Sequence, residues 1–301
     1  MGDRTGGTTG PGQRIDVESV EPAGGESAQR IDVESPGVPA GDGHRAGDGA
    51  VDHHHELVTV PPDWWSWAGA QGGVVIAHCL AAMAMAVGAP EARPRSVTAH
   101  LLRPVREPLS LDAAVLRRGR AVTTASVAGR AGGRSALSAL ATFGPAGTGP
   151  RVAAPTAPAV ERPEACPVFQ LPVDFVPIGQ HVEVRPASDA RPLAEGPVPE
   201  LLAWLRLVDD RPLEPTALAI LLDALPPGLF ATFAASMAVP TVDFTAHFSP
   251  RAARGASPGW ALARLATVDA GEGWAIDDSE LWSQDGHRLA VARQSRVIAP
   301  L

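Results

Sequence analysis

A short repeat marks two copies of one folding unit in this chain of 301 residues. The sequence Thr-Ala-His occurs at 98–100 and again at 245–247. Each time an apolar helical segment precedes it and three further strand-like runs follow. This tandem pattern predicts a duplicated domain. The second copy carries polar residues that the first copy lacks, namely Asp223, Thr241 and Gln294. We therefore expect the chemistry of the protein to lie in the second half.

Composition and charge exclude several classes of function. Apolar residues make up 45% of the chain, which is enough to fill a large core. Residues 1–56 hold eleven acidic residues and four Arg, a balance of -7, whereas the remaining 245 residues balance to -1. A nearly neutral folded part without a basic stripe argues against nucleic-acid binding. The chain has no Lys, which excludes Schiff-base enzymes and the Walker A phosphate loop.

The chain divides into a tail and two units. Residues 1–51 are rich in Gly, Pro and acidic residues, and they include two copies of Gln-Arg-Ile-Asp-Val-Glu-Ser, so we expect a disordered tail. We then expect an N-terminal unit at 52–143, a Pro- and Ala-rich linker at 144–165 and a C-terminal unit at 166–301. No run resembles a signal peptide, and no apolar stretch reaches the ~18 residues that a membrane span needs. The expected location is cytoplasmic.

Hydrophobic periodicity predicts the same order of elements in both units. In the first unit, the pattern predicts a short strand at 57–60 and then a helix at 74–87 that is apolar on all sides. Four predicted strands follow at 96–103, 109–117, 121–129 and 134–143. In the second unit, the pattern predicts a strand at 204–208 and a helix at 215–223. Four predicted strands follow at 240–248, 259–269, 273–283 and 288–298. An all-round apolar helix must be buried. The fold class is therefore α+β, a double hotdog in which two tandem helix-plus-antiparallel-sheet units form one pseudo-dimeric domain.

No metal site is predicted. The two cysteines, Cys79 and Cys166, are too few for a disulfide framework or a Cys-rich zinc site, and Cys79 lies in the apolar helix as a core residue. The three consecutive His at 53–55 have no second cluster of ligands. His78, His100 and His247 fall within predicted core elements, where a structural role is expected.

Over residues 52–299 the chain resembles acyl-CoA thioesterases of the double-hotdog, thioesterase II-like type. The resemblance is carried by Gly72-Gly73 at the opening of the apolar helix and, in the second half, by LLDALPP, VPTVDFTAHF and ELWSQDGHRLAVARQ. It implies hydrolysis of an acyl-CoA or acyl-carrier thioester without any metal or organic cofactor. Members of the family hold a water against the thioester carbonyl with an Asp, a Thr or Ser, and a Gln.

By position, the resemblance assigns these three roles to Asp223, Thr241 and Gln294. The interval between Asp223 and Thr241 is shorter than the family leads us to expect, so Asp209 and Asp210 are alternatives for the acid. Partial burial of Asp223 would raise its pKa toward that of a useful base. For Thr241 and Gln294 the residues alone also allow a purely structural role.

Gly72 and Gly73 are candidate substrate-binding residues. The N–H groups at the start of a helix can bind an oxyanion, and Gly permits the close approach of substrate. Close packing of the helix against another element explains the same two glycines equally well.

Two alternative functions remain open. One is a non-catalytic acyl-CoA-binding protein, and the other is a lyase similar to hotdog enoyl-CoA hydratases, although their Asp-to-His spacing before the helix is absent. A G-x-S-x-G motif at 255–259 is rejected as a nucleophile elbow because the residue after its Ser is Pro258, which has no N–H. Homo-oligomers could form through exposed sheet edges.

Overall fold

The computed structural model describes residues 52–150, 152–252 and 259–298. Helices α1 and α2 span Gly72–Val87 and Pro215–Leu222. Strands β1 to β7 cover His53–Val58, Trp65–Ser66, Gly69–Ala70, Arg93–Leu101, Leu109–Arg118, Thr123–Ala131 and Arg134–Gly144. Strands β8 to β13 cover Val182–Pro186, Glu200–Leu207, Thr241–Phe248, Ala261–Gly271, Trp274–Ser283 and Arg288–Val297. Short 3-10 helices cover Pro62–Trp64, Pro163–Ala165, Pro177–Gln180 and Gly228–Ala231.

In the described part of the chain, eleven strands form one large sheet. Their order is β1-β5-β6-β7-β4-β10-β13-β12-β11-β9-β8, and β2 pairs only with β3. Every pairing in the large sheet is antiparallel. Helix α1 packs on the strands of the first half, α2 packs on those of the second half, and the two helices contact each other. The predicted α+β double hotdog is confirmed.

The two Thr-Ala-His copies lie side by side where the halves of the sheet join. Strands β4 and β10 pair so that Thr98 faces Thr245, and their hydroxyl oxygens are 3.2 Å apart. This arrangement follows from the duplication, because equivalent strands of the two units meet across an approximate twofold axis. The expectation that His100 and His247 lie in the core is wrong: both are exposed, because strand alternation points them away from the helices.

Helix α1 begins two residues earlier than predicted because its cap is Gln71. The Gln71 side chain accepts a hydrogen bond from the Val74 N–H, which satisfies one of the free donors at the helix start. The helix ends at Gly88, whose φ of 64° is left-handed and favours glycine. Cys79 is fully buried, and burial raises the pKa of its thiol to about 12, as fits the predicted core residue.

Several sequence predictions shift or fall outside the described residues. Strand β1 begins four residues before the predicted start. Strand β8 was missed, although its apolar and polar residues alternate over its five positions. The predicted tail at 1–51 with its internal repeat, and residues 253–258 with most of the G-x-S-x-G motif, lie outside the described residues. The unit and linker boundaries stay predictions, as does association through the edge strands β1 and β8. No helix among the described residues has the length and apolar character needed to cross a membrane.

Candidate active site

Asp223 lies at the junction between the two helices. It directly follows the last residue of α2 and is the C-cap, one position beyond the helical turn in which it was predicted. Its Oδ2 accepts hydrogen bonds from the Gly73 N–H and from Gln71 Nε2, both at 3.0 Å. Gln71 Nε2 also donates to the backbone carbonyl of Asp223 at 2.7 Å. The start of α1 therefore fixes one carboxylate oxygen of a side chain that is only 11% exposed.

The two glycines make this close approach possible. A Cβ on Gly72 would lie 2.8 Å from Asp223 Oδ2. A Cβ on Gly73 would lie 2.5 Å from the carbonyl oxygen of Ala219 and 2.9 Å from Cα of Ile220, both backbone atoms of α2. The Gly73 N–H donates to Asp223, and the substrate-binding role of the pair stays a prediction.

Thr241 and Gln294 lie on neighbouring strands and are hydrogen-bonded to each other. The Thr241 hydroxyl donates to Gln294 Oε1 at 2.8 Å, and Gln294 is completely buried on β13. Gln294 Nε2 faces the carbonyl oxygen of Leu222, the residue before Asp223, at 3.5 Å. The structure thus brings the three predicted residues to the same place.

A buried arginine that the sequence analysis missed connects these residues. Arg296 Nη1 donates to the Thr241 hydroxyl at 2.8 Å, and Arg296 Nε donates to Asp277 Oδ2 at 2.6 Å. Its Nη2 lies 3.7 Å from Asp223 Oδ1, an ion-pair distance that is too long for a hydrogen bond. Asp277 is itself held by the Thr267 hydroxyl at 2.6 Å. A signal for Arg296 was available, because period-two alternation places it on the same inward face as Gln294.

The electrostatics of the site favour a carboxylate that binds protons more readily than an exposed one. Burial raises the pKa of Asp223, and the negative charge of Asp277 raises it further. The Arg296 cation, the hydrogen bond from the Gly73 N–H and the nearby Gln294 amide oppose this effect without reversing it. A carboxyl group with a raised pKa suits general-base chemistry, and that role for Asp223 stays a prediction.

The alternative acids have different surroundings. Asp209 is 44% exposed and forms an ion pair with Arg211, whose hydrogen bond lowers the pKa of the Asp209 carboxyl. Asp210 is exposed in the turn that follows β9. Within the described ranges, no group of three or more His, Cys, Asp and Glu residues could hold a metal ion.

An apolar pocket lies next to the end of α2. It has a volume of about 20 Å³ and is lined by apolar residues that include Phe169, Leu171, Leu201, Leu225 and Pro226. A pocket of this size holds about one water molecule. Leu225 follows Asp223 by two residues, so the pocket is close to the candidate site along the chain.

Two hotdog units with a polar cluster where their helices meet define a double-hotdog protein. The family model of the acyl-CoA thioesterase N-terminal domain matches residues 61–144, and that of the acyl-CoA thioesterase C-terminal domain matches residues 155–298. The chain belongs to this acyl-CoA thioesterase family.

The chain is also similar to one curated protein and to solved structures with the same fold. An uncharacterized protein of Mycobacterium tuberculosis (strain ATCC 25618 / H37Rv) is 30% identical over 256 residues, which cover 75% of this chain and 85% of the relative. A conserved protein of unknown function with a hot dog fold from Alicyclobacillus acidocaldarius has a TM-score of 0.74 at 25% identity, with 85% of this chain and 96% of that chain covered. An acyl-CoA thioesterase II from Mycobacterium marinum shares the fold at 22% identity, with a TM-score of 0.62 and coverage of 76% of this chain and 89% of that chain.

Proposed function

We propose that this protein hydrolyses acyl-CoA thioesters to a carboxylic acid and free CoA, using a water held by Asp223, Thr241 and Gln294. Family membership supports the reaction class. The observation that carries the proposal is the Asp223 carboxylate: one of its oxygens is fixed by α1, and the other faces the Thr241–Gln294–Arg296 cluster. A buried, oriented carboxylate with a raised pKa is the group that general-base hydrolysis requires.

The geometry divides the roles as follows. Because Gly73 and Gln71 occupy Oδ2 of Asp223, its Oδ1 is the oxygen that takes a proton from the attacking water. The Gln294 amide and the remaining lone pair of Thr241 orient that water. The water oxygen bonds to the thioester carbon, the C–S bond then breaks, and the proton held by Asp223 passes to the departing thiolate. The products are the carboxylic acid and the thiol, and Asp223 is again a carboxylate.

The acyl group of the substrate would enter beside α2, where the side chains are apolar. Leu225 lines the apolar pocket there and is two residues from Asp223. The pocket has a volume of only about 20 Å³, so an acyl chain that enters it must displace the apolar side chains around it. Burial of the chain there is favourable by about 25 cal/mol per Å² of apolar surface.

One observation favours a second candidate, a protein that binds acyl-CoA without hydrolysing it. The Thr241 hydroxyl donates its proton to Gln294 and accepts from Arg296, so it cannot also donate to a water. A cluster satisfied from within could hold a thioester without activating water.

A single set of substrates distinguishes these functions. We would measure free thiol released from acyl-CoA esters of short to long chain length, and from acyl-carrier thioesters, together with the affinity for a non-hydrolysable thioether analogue. Thiol release from the ester, together with measurable affinity for the analogue, supports the thioesterase. Affinity without thiol release supports the binding protein, and consumption of an enoyl-CoA double bond without thiol release indicates the lyase.

The raised pKa of Asp223 predicts the pH dependence of hydrolysis. The base must be ionised, so kcat/KM is expected to fall as the pH drops through the pKa of this carboxyl. Because burial raises that pKa, the loss should occur above the ordinary value of 3.8. The measurement is kcat/KM for one acyl-CoA across roughly pH 3 to 9, a range that spans ordinary and raised carboxyl values. A profile that stays flat down to 3.8 would contradict Asp223 as a desolvated base.

A further inference from the structure

One donor nitrogen of the buried Arg296 guanidinium makes no hydrogen bond with the described part of the chain. Arg296 is on the inward face of β13, and only 6% of its side chain is exposed. Asp277 holds Nε and Thr241 accepts from Nη1, so the orientation of the group is fixed. Among the described residues, Nη2 is buried and makes no hydrogen bond. A buried N–H without an acceptor is costly, and such groups in folded proteins usually have a functional reason or bind a molecule.

The unpartnered Nη2 is directed at the candidate base. It lies 3.7 Å from Asp223 Oδ1, and this carboxylate oxygen accepts neither of the two hydrogen bonds that fix Oδ2. A donor and an acceptor at this separation can be bridged by two oxygens bonded to one carbon, each within ~2.8 Å of its own partner. The tetrahedral intermediate of thioester hydrolysis presents such a pair, formed by the attacking oxygen and the former carbonyl oxygen.

We propose that Arg296 is a catalytic residue whose Nη2 donates to the thioester carbonyl oxygen and stabilises it as an oxyanion; this role rests on the hydrolysis proposed above. When the water oxygen bonds to the carbonyl carbon, its proton moves to Asp223 Oδ1 and the π electron pair of the carbonyl moves to the oxygen held by Nη2. When the pair returns, the C–S bond breaks and the thiolate takes the proton from Asp223. A fixed cationic donor in a buried site stabilises a developing negative charge strongly.

The hydrogen bonds of Asp277 and Thr241 fix the position of the Arg296 guanidinium. Asp277 is completely buried and accepts from both Arg296 and Thr267, so it anchors the cation from behind. Thr241 fixes the second nitrogen. The third nitrogen is thereby held in place before substrate arrives, and no reorganisation is needed during the reaction.

The test compares Arg296→Gln and Arg296→Lys with the control Arg293→Gln. Arg293 is on the same strand, but its side chain is 65% exposed and pairs with Asp278 at 2.6 Å. We expect kcat on an acyl-CoA to fall about 100-fold or more in Arg296→Gln, which is typical for loss of one oxyanion donor. Affinity for the thioether analogue should change less than about 3-fold, because an oxyanion donor acts mainly in the transition state. The Lys variant keeps the charge but has one nitrogen for three contacts, so we expect an intermediate kcat.

A double variant keeps the test possible if Arg296→Gln does not fold. Arg296→Gln leaves Asp277 charged and unpaired, so the double variant Arg296→Met with Asp277→Asn removes both buried charges and should show the same loss of kcat. A kcat within about 3-fold of the wild-type value, in any folded Arg296 variant, overturns the oxyanion role while hydrolysis stands. Equal loss in Arg293→Gln would also overturn it. If the wild-type protein releases no thiol from any substrate, the proposed hydrolysis fails and the role of Arg296 fails with it.

Discussion

Replacing Asp223 with Asn should lower kcat for an acyl-CoA substrate by roughly 1000-fold, within the range for loss of a general base. Asn is almost isosteric, and its amide oxygen can still accept from the Gly73 N–H and Gln71 Nε2. It cannot take a proton from water, and it places an amide where the carboxylate faces Arg296. The measurement is free-thiol release under substrate saturation, with the melting temperature recorded for each variant.

The stability of this variant separates a chemical effect from unfolding. Burial raises the pKa of Asp223, so the charged form is disfavoured in the folded protein, and neutral Asn removes that penalty. We expect the melting temperature of Asp223→Asn to stay at or above that of the wild-type protein. A wild-type kcat in a folded Asp223→Asn protein would exclude Asp223 as the base.

A matched control is Asp278→Asn. Asp278 is a partly exposed carboxylate that pairs with Arg293 on the outer face of the sheet, and loss of such a pair costs little. Its kcat should match the wild-type value. Asp209→Asn tests the alternative acid. If kcat falls in Asp209→Asn and stays at the wild-type value in Asp223→Asn, then Asp209 is the general base.

The fold was largely predictable because its signals are local. Strands β10 to β13 follow from alternation, and α1 follows from an apolar run in which His78 is the one polar residue. Both signals are visible within a short window of sequence. Strand β8 was missed although its apolar and polar residues alternate, because the run is only five residues long. The Thr-Ala-His repeat predicted the duplication, but only the register of β4 with β10 shows that the copies face each other.

The site was less predictable because its contacts join distant parts of the chain. Asp223, Thr241 and Gln294 came from the resemblance, whereas Gln71 contacts Asp223 across 152 positions and no local pattern specifies that contact. Arg296 was accessible to sequence reasoning, since the alternation that placed Gln294 inward also places Arg296 inward. A charged residue at an inward strand position needs a buried partner, and that requirement is a usable sign of a site.

Gly73→Ala should be the most damaging single-methyl substitution at the helix junction. Its Cβ would lie 2.5 Å from the Ala219 carbonyl oxygen and 2.9 Å from Ile220 Cα. These are backbone atoms inside α2, so relief requires the two helices to separate. We expect a loss of about 3 kcal/mol in the free energy of unfolding. For a protein of this size that corresponds to a fall in melting temperature of roughly 6–12 °C.

Two further glycines make the prediction specific to the helix contact. A Cβ on Gly147 would have no heavy atom within 4 Å, so Gly147→Ala should change the free energy of unfolding by less than about 0.5 kcal/mol. A Cβ on Gly72 would contact Asp223 Oδ2 at 2.8 Å and no atom of α2 itself within the same distance. Gly72→Ala should therefore displace the carboxylate, so we expect a clear fall in kcat with little change in the free energy of unfolding. Gly73→Ala should lower both kcat and the free energy of unfolding. An unchanged melting temperature in Gly73→Ala would contradict the close contact between the backbones of α1 and α2. It would also contradict the anchoring of Asp223 by the start of α1, which depends on that contact.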